Sequence, residues 1–462
     1  MPLEYAGTLP ALIDLYRIRT AQCLTIADLT KPVDSMLEAL MLYIMTEYSE
    51  SKDGDLGTWL LSGTAMRLAL QQGYHRDPSQ HPNITPFQGE MRRRLWTAIN
   101  QHELLFCVIV GLPKSVKYAE CDTEFPRNLH EEELYEEMKE LPPSRPLGEP
   151  THICYQVVKA SVMKAYGSVV EFLHLLQPQP FAEVMRLDLN LMQTRENIPA
   201  HLRLGTLQEM KNDPPYTIME RYILELFCHK AVVLLHRKFW DAAPEGTPPG
   251  KFFYSRKTCV ASAVALLDHQ ALMHEGTYPG GPLAQMKWYH FVITNHDFLL
   301  AAMVICLDVM NLRRHFPGGN FPECVITESQ KLNAIQRSRN IWAEIVNDCR
   351  DAKRAVTILD AVISKLQVKT APEKKTDITF ISPKVPLLSS AINYTPDSLR
   401  FSPYFTDQFG LGMPLPGGPT GEDIVMQDTF PDILSCDLTV PNDFNWVRLI
   451  AESRKGKFAN SR

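Results

Sequence analysis

The sequence has no group of closely spaced cysteines. Its ten cysteines are scattered, the two nearest (Cys107 and Cys121) are fourteen residues apart, and Cys-x-x-Cys occurs nowhere. Scattered thiols are typical of a reducing compartment, and this spacing excludes a disulfide framework and a cysteine-ligated zinc cluster within these residues. We therefore expect no metal ion and no other cofactor in this chain.

Long apolar segments are also missing. The most apolar run, residues 298–307, has ten residues, whereas a membrane-spanning helix needs about 20. No signal peptide opens the sequence. We expect a soluble, intracellular protein that does not contact a membrane.

The signatures of common enzymes are absent too. The sequence contains no Gly-x-Ser-x-Gly elbow, no phosphate-binding Walker loop and no His-Glu-x-x-His zinc motif. The Asp-Asp-x-x-Asp motif of all-α terpene cyclases is missing, and Asp351 and Ala355 stand where their second metal motif, starting at Asn347, requires Ser and Glu. We expect no catalytic, cofactor-binding or metal-binding residues, and no enzyme.

The formal net charge of −6 is unevenly distributed. Residues 401–446 contain seven acidic residues and no Lys or Arg, which leaves 47 basic and 46 acidic residues elsewhere. A nearly neutral body argues against a large phosphate-binding face, because affinity for nucleic acid comes mostly from neutralised phosphate charge.

Apolar residues recur at helical spacing through most of the chain, and no alternating run is long enough for a sheet. We predict an all-α fold, a multi-helix regulatory bundle with long loops, over residues 1–366, with a candidate split near 140–150. Residues 131–140 are predicted as a short acidic helix and 142–150 as a mobile, proline-rich loop. Residues 367–462 are predicted to form a Pro/acidic/aromatic, largely disordered tail.

The stretch 59–113 is predicted to form two helices and a connector. In the first helix, Trp59, Gly63, Met66 and Leu70 share one stripe. We expect Gly63 to lie at a helix–helix contact with no room for a side chain, and Gly73 to provide a left-handed C-cap.

Thr85, Pro86 and Gln88 are a start signal for the second helix, because they combine a cap, a proline at the first position and a capping-box partner. Gly111 and Pro113 end it. Its predicted buried face consists of Phe87, Met91, Leu95, Ala98, His102, Leu105 and Ile109.

This stretch resembles the middle homology region of fungal-specific transcription factors, the regulators that carry a zinc binuclear cluster of six cysteines at the N-terminus. His102-Glu103 and Leu112 depart from the usual pattern, which has Asp and Arg at these places. A second match includes His296, Asp297 and Trp342, so the resemblance covers roughly residues 35–365. The motif residues are Trp59, Gly63, Ala65, Arg67, Gly73, His75, Arg76, Asp77, Pro86, Glu90, Arg92, Arg93, Arg94, Trp96, Gly111 and Pro113.

The resemblance implies a nuclear regulator of a metabolic gene set, either catabolic or secondary-metabolite. It implies transcription coactivators as partners, and a homodimer or a heterodimer with a zinc-cluster regulator. Because the zinc cluster is absent from this sequence, we expect contact with promoter DNA only indirectly or through a missing segment. The alternatives are a helical interaction protein or decoy that pairs with a full-length relative and, third, an all-α enzyme.

Several polar residues of the motif have a structural interpretation. Arg92, Arg93 and Arg94 fan across about 200° of a helix, so they cannot all face one row of phosphates, and Glu90 is spaced to pair with Arg94. The segment His75-Arg76-Asp77 predicts an Asp–backbone turn and an Arg–carboxylate bridge.

Two further sites are expected. His290 and His296 are predicted to be hydrogen-bonded core histidines beside Asp297, and an effector pocket is expected between the helices at 220–240 and 289–310. In the tail, spaced rings among acidic residues suit coactivator binding, with Phe430, Phe444 and Trp446 as anchors.

Overall fold

The computed structural model describes residues 9–28, 33, 35–51, 56–177, 179–206, 208–239, 253–286, 295–315, 326–346 and 350–367. Within these ranges all regular secondary structure is helical, which confirms the all-α prediction. The helices are α1 (Leu9–Ile26), α2 (Met36–Ser51), α3 (Leu56–Gln71), α4 (Pro86–Val110), α5 (Cys154–Leu173), α6 (Phe181–Glu196), α7 (Pro215–His236), α8 (Phe253–Gly276), α9 (Asn295–His315), α10 (Glu328–Glu344) and α11 (Arg350–Gln367).

The predicted tail, apart from Gln367, lies outside the described residues. So do its anchors Phe430, Phe444 and Trp446, and so does His290. The domain split near 140–150 stays a prediction.

The ends of α3 and α4 follow the local signals in the sequence. Gly73 and Gly111 have positive φ angles of 75° and 72°, as left-handed caps require. Thr85 and Gln88 form a reciprocal capping box with Pro86 at the first helical position. These predictions are confirmed.

The helix predicted over 131–140 is wrong, because only a single 3-10 turn, Glu131–Glu133, forms there. Two of its glutamates are used elsewhere. Glu131 accepts hydrogen bonds from Arg94, and Glu133 pairs with Arg145. The acidic side chains therefore stabilise tertiary contacts, where in a helix they would repel one another.

The predicted buried face of α4 is wrong, whereas the predicted stripe on α3 is buried in part, with Met66 fully buried and Trp59 and Leu70 half-buried. In α3 the most buried stripe starts one residue earlier and runs through Thr58, Ser62, Ala65 and Ala69. In α4 the predicted apolar positions are only partly buried, and Met91 is exposed. The face that is buried contains Gly89, Glu90, Arg93, Trp96, Thr97, Asn100, Leu104 and Cys107.

Three apolar cores organise the described helices. The N-terminal core lies between α2, α3 and α4, the central core between α5, α6 and α7, and the C-terminal core between α7, α8, α9, α10 and α11. Leu104 of α4 belongs to the central core, so α4 contributes to two cores. Helix α7 also contributes to two, and it is buried almost all round, as predicted.

None of the helices in the described part of the chain combines the length and the hydropathy needed to cross a bilayer.

Candidate functional site

The motif residues of the 59–113 stretch meet at the connector between α3 and α4. After the left-handed turn at Gly73, the chain places Asp77 at the start of a 3-10 turn, Pro78–Gln80. The backbone N–H of Ser79 donates to Oδ1 of Asp77 at 3.0 Å. The predicted Asp–backbone turn is confirmed.

Asp77 and Arg93 form a buried bidentate ion pair. Arg93 donates from Nε to Oδ2 at 2.9 Å and from Nη2 to Oδ1 at 2.7 Å, and both side chains are 6% exposed. The N–H of Glu124 also donates to Oδ2. Burial disfavours the charged form of Asp77, but the hydrogen bonds from Arg93, Ser79 and Glu124 outweigh it and hold the pKa of the carboxyl well below its usual value. The charged pair fastens α4 to the connector.

Glu90 and Arg94 form a second pair on the same helix. Glu90 is fully buried, and its Oε1 accepts Nε of Arg94 and the N–H of Arg127, each at 3.2 Å. Arg94 Nη1 also donates to Glu131 at 3.0 Å. Burial raises the pKa of Glu90, although the neighbouring Arg94 opposes this shift. The predicted intrahelical pair is confirmed.

Arg92 has a third kind of partner. Its guanidinium lies 4.4 Å from the ring centroid of Tyr74, and Nη1 donates to the carbonyl of Gln72. The three consecutive arginines are thus committed to three different intramolecular contacts. The prediction that these arginines have structural roles is confirmed. Their guanidinium groups do not form a shared, unpaired positive surface for phosphates.

The segment after α4 is tied to this connector. Asp122 Oδ1 accepts the N–H of Asp77 at 2.8 Å, and Oδ2 lies 2.9 Å from Nη2 of Arg76. The hydroxyl of Thr123 donates to the carbonyl of Tyr74 at 2.7 Å. The Arg76–Asp122 contact confirms the predicted Arg–carboxylate bridge.

The proline-rich loop 142–150 is fixed by side chains that bond to its backbone. Nδ2 of Asn128 donates to the carbonyls of Pro146 and Glu149, both at 3.0 Å. Arg127 Nη1 donates to the carbonyl of Pro142 at 2.8 Å. These contacts contradict the expectation of a mobile loop, since each one removes freedom from the loop backbone.

Gly63 does not have the predicted role. Among the described residues, the atom nearest to a Cβ built on Gly63 is Nη1 of Arg67, at 3.1 Å, on the same helix. No other helix in the described part of the chain has an atom within 4 Å of this position, so the expected tight contact is wrong. A close approach occurs instead at Gly167 of α5, where a Cβ would lie 2.5 Å from the ring of Tyr118.

The remaining motif residues have mixed environments. Trp96 is buried in the N-terminal core, and its ring centroid lies 6.4 Å from that of His75. Ala65 is fully buried, whereas Trp59 only packs at the edge of the same core. The exposed residues of the motif are Arg67, Arg76, Gly111 and Pro113.

A cleft opens between α4, α5 and the segment that follows α4. Its aromatic lining includes Trp96, Tyr118 and Phe125, and its polar lining includes Gln101 and Lys164. Nε2 of Gln101 is buried without a hydrogen-bond partner. This cleft was not predicted, because its walls come from segments far apart in the sequence.

Between α7 and α9, where an effector pocket was expected, the described residues form an ion pair. Lys230 and Asp297 are in direct contact and are both almost completely buried. Next to them, Nδ1 of His296 is buried without a hydrogen-bond partner, contrary to the prediction of a bonded core histidine. Burial, followed by the charge of Lys230, lowers the pKa of His296 to about 4. The effector pocket stays a prediction.

One cluster resembles a hydrolase triad in composition. His236 Nδ1 lies 3.0 Å from Oγ of Ser255, and its Nε2 lies 3.2 Å from Oδ1 of Asp188 without hydrogen-bond geometry. The hydroxyl of Tyr254 donates to Asp188 at 2.5 Å. Ser255 and His236 are fully buried, so this hydroxyl is closed to a substrate and the cluster instead joins α6, α7 and α8.

Residues 15–177 match the family described as "Fungal specific transcription factor domain". The chain is 32% identical over 440 residues to the Zn(2)-C6 fungal-type transcription factor mpsB of Macrophomina phaseolina. The matched segment covers 94% of this chain and 59% of that protein. No solved structure matches the chain significantly.

Two further relatives are the equisetin cluster transcription factor eqxF of Fusarium heterosporum and the Zn(2)-C6 fungal-type transcription factor pigI of Monascus ruber. Each is 33% identical to the chain. The match to eqxF covers 80% of this chain and 52% of that protein. The match to pigI covers 78% of this chain and 44% of that protein. The chain thus spans about half the length of the curated relatives it matches. Residues 15–177 of the chain therefore form a fungal-specific transcription factor domain.

One group of potential metal ligands was not predicted from the sequence. Glu225 and His229 lie one turn apart on α7, and the fold brings His269 of α8 to the same place. The spacing Glu-x-x-x-His was visible in the sequence, but the third residue is 40 positions further along.

Proposed function

We propose that this protein regulates transcription of a secondary-metabolite gene cluster in the nucleus. The similarity to the equisetin cluster transcription factor supports this proposal most strongly, because it covers 80% of the chain and so extends well past the matched domain at 15–177. The fusarisetin A cluster transcription factor of a Fusarium species is similar over the same share.

In this proposal the helical body is a rigid regulatory scaffold. Arg92, Arg93 and Arg94 are paired with carboxylates, a carbonyl and a ring, so these three arginines do not form a phosphate-binding surface. Promoter contact is then supplied by a zinc-cluster partner, or by a segment outside these 462 residues that carries the zinc of the family. Coactivators are the second class of partner, bound by the tail through Phe430, Phe444 and Trp446.

Deletion of the gene in its source organism tests the proposal. We expect transcripts of one contiguous gene cluster to fall together and to recover when the wild-type gene is restored. Transcript profiles under conditions that produce secondary metabolites provide the measurement. A profile in which no gene cluster changes would contradict the proposal.

The alternative is a decoy that pairs with a full-length relative. It is favoured by the same observation that Arg92, Arg93 and Arg94 are committed to intramolecular contacts. For a decoy, deletion would raise the transcripts of the cluster, because the relative would be released. The direction of the transcript change therefore separates the two functions.

A further inference from the structure

The cluster of Glu225, His229 and His269 has the residue types of an open zinc site. The candidate ligand atoms of the three side chains all lie within 4.8 Å of one another. Oε2 of Glu225 is 3.6 Å from Nε2 of His229, and the ring centroids of His229 and His269 are 5.7 Å apart. In a tetrahedral zinc site with ligand bonds of about 2.1 Å, the ligand atoms are about 3.4 Å apart, so small side-chain rotations close the remaining gap.

The backbone brings these ligands together for simple geometric reasons. Glu225 and His229 are four residues apart on α7, so their side chains share one helix face. Helix α8 packs against α7 and supplies His269, whose ring also contacts Tyr222 at a centroid distance of 5.8 Å. An ion held here would join two helices of the C-terminal core.

The cluster is less completely hydrogen-bonded than the buried carboxylate of Asp308. Arg256 and Lys331 each bond to one oxygen of Asp308 at 2.7 Å. In the histidine cluster, Nδ1 of His269 is buried without a hydrogen bond, and Oε2 of Glu225 is ion-paired with Arg195 at 2.7 Å without hydrogen-bond geometry. A buried polar atom left unbonded is costly, and a metal ion would satisfy His269.

Arg195 is the competing partner of Glu225. Its Nη2 lies 2.7 Å from Oε2 and its Nε donates to Oε1 at 3.2 Å. A guanidinium on a ligating carboxylate can act as an outer-shell group that fixes the carboxylate orientation. It can also simply neutralise the carboxylate, and in that case no metal binds.

From this geometry we propose that Glu225, His229 and His269 form a mononuclear Zn²⁺ site with one coordination position open to water. Two imidazoles and a carboxylate are a known set for open zinc sites, and nitrogen ligands favour zinc over calcium or magnesium. His269 as a residue is only half-buried, although its Nδ1 atom is buried.

The test uses the full 462-residue chain, without an affinity tag, reduced and stripped by a chelator. Titration with Zn²⁺ against a chromophoric competitor should show one ion per chain. Glu225→Gln and His269→Phe should each weaken binding by at least about tenfold, since even outer-shell losses cost 10- to 100-fold. His152→Gln, a change at an exposed histidine, is the matched control and should bind as the wild type does.

Two measurements keep this result specific. Zn²⁺ should raise the melting temperature of the wild type and of His152→Gln. It should leave the melting temperatures of Glu225→Gln and His269→Phe unchanged. Melting curves of all variants without metal establish that they fold. Co²⁺ in the site should absorb in the visible region without a thiolate charge-transfer band. A thiolate band, or a folded wild type that takes up no Zn²⁺ because Arg195 holds Glu225, overturns the proposal.

Discussion

The ring of Tyr118 lies directly against Gly167 of α5, so that a Cβ at position 167 would be 2.5 Å from Cε2 of the ring. The hydroxyl of Tyr118 donates to the carbonyl of Met163, and Nζ of Lys114 lies 3.7 Å from the ring centroid. The segment after α4 is anchored to α5 at this point. The anchor depends on the absence of a side chain at position 167.

Gly167→Ala should therefore lower the free energy of unfolding by about 1–3 kcal/mol, because the added methyl group forces the Tyr118 ring out of place. Denaturant-induced unfolding measures the change. Gly63→Ala is the matched control, since only the flexible end of Arg67 is near it. It should be neutral or should stabilise by up to about 1 kcal/mol through helix propensity. Equal losses in the two variants would show that position 167 tolerates a methyl group.

Asp77→Asn should destabilise the protein by about 3–5 kcal/mol, because it leaves the charge of Arg93 buried and unpaired. Arg76→Gln breaks the more exposed pair with Asp122 and should cost less than about 1 kcal/mol. Urea unfolding of both variants at neutral pH provides the comparison. If Asp77→Asn unfolds at the wild-type midpoint, the pair does not hold the connector to α4.

The buried His102 should contribute a loss of stability as the pH falls from about 6.5 to about 4. Burial, followed by the charge of Lys159, lowers the pKa of His102 from 6.5 to about 4. The unfolded state therefore binds a proton in this window that the folded state does not bind, and acid favours unfolding. The buried His296 acts in the same direction.

His102→Phe keeps a ring beside Phe106 and removes the titrating group. Between pH 7 and pH 5, the melting temperature of this variant should drop less than that of the wild type. An identical drop in both proteins would mean that His102 has the same pKa in the folded state as in the unfolded state.

The tail should activate transcription through its rings. Residues 428–446, fused to an unrelated DNA-binding domain, should activate a reporter gene. Replacing Phe444 and Trp446 by alanine should reduce the signal more than Asp443→Asn, because buried rings supply most of the affinity whereas charge mainly steers the encounter. A silent fusion, with activation by the helical body alone, would place the activating surface outside the tail.

The helices of this fold were predictable because their signals are local. The capping box of Thr85 and Gln88 and the left-handed glycine at 111 are complete within a few residues of sequence. Helix α7 was recognisable because it is apolar on nearly every side. Such signals require no knowledge of the partner segments.

The buried face of α4 was not predictable, because charged residues occupy it. Glu90 and Arg93 are buried only because their partners, Arg127 and Asp77, come from segments that the fold brings back. A hydropathy pattern assigns charged residues such as these to the solvent-exposed face of a helix. The histidine cluster has the same property, since nothing in the sequence around His269 points to Glu225.

The pair formed by Asp77 and Arg93 closes a loop of only 16 residues. Closing a short loop has a small entropic cost. The packing of α8 on α10 has a larger one, because it joins residues about 70 positions apart, such as Gln270 and Ser338. The order of folding follows from this difference, because local contacts form faster than distant ones. The hairpin of α3 and α4 can therefore assemble on the emerging chain, before the later helices have left the ribosome.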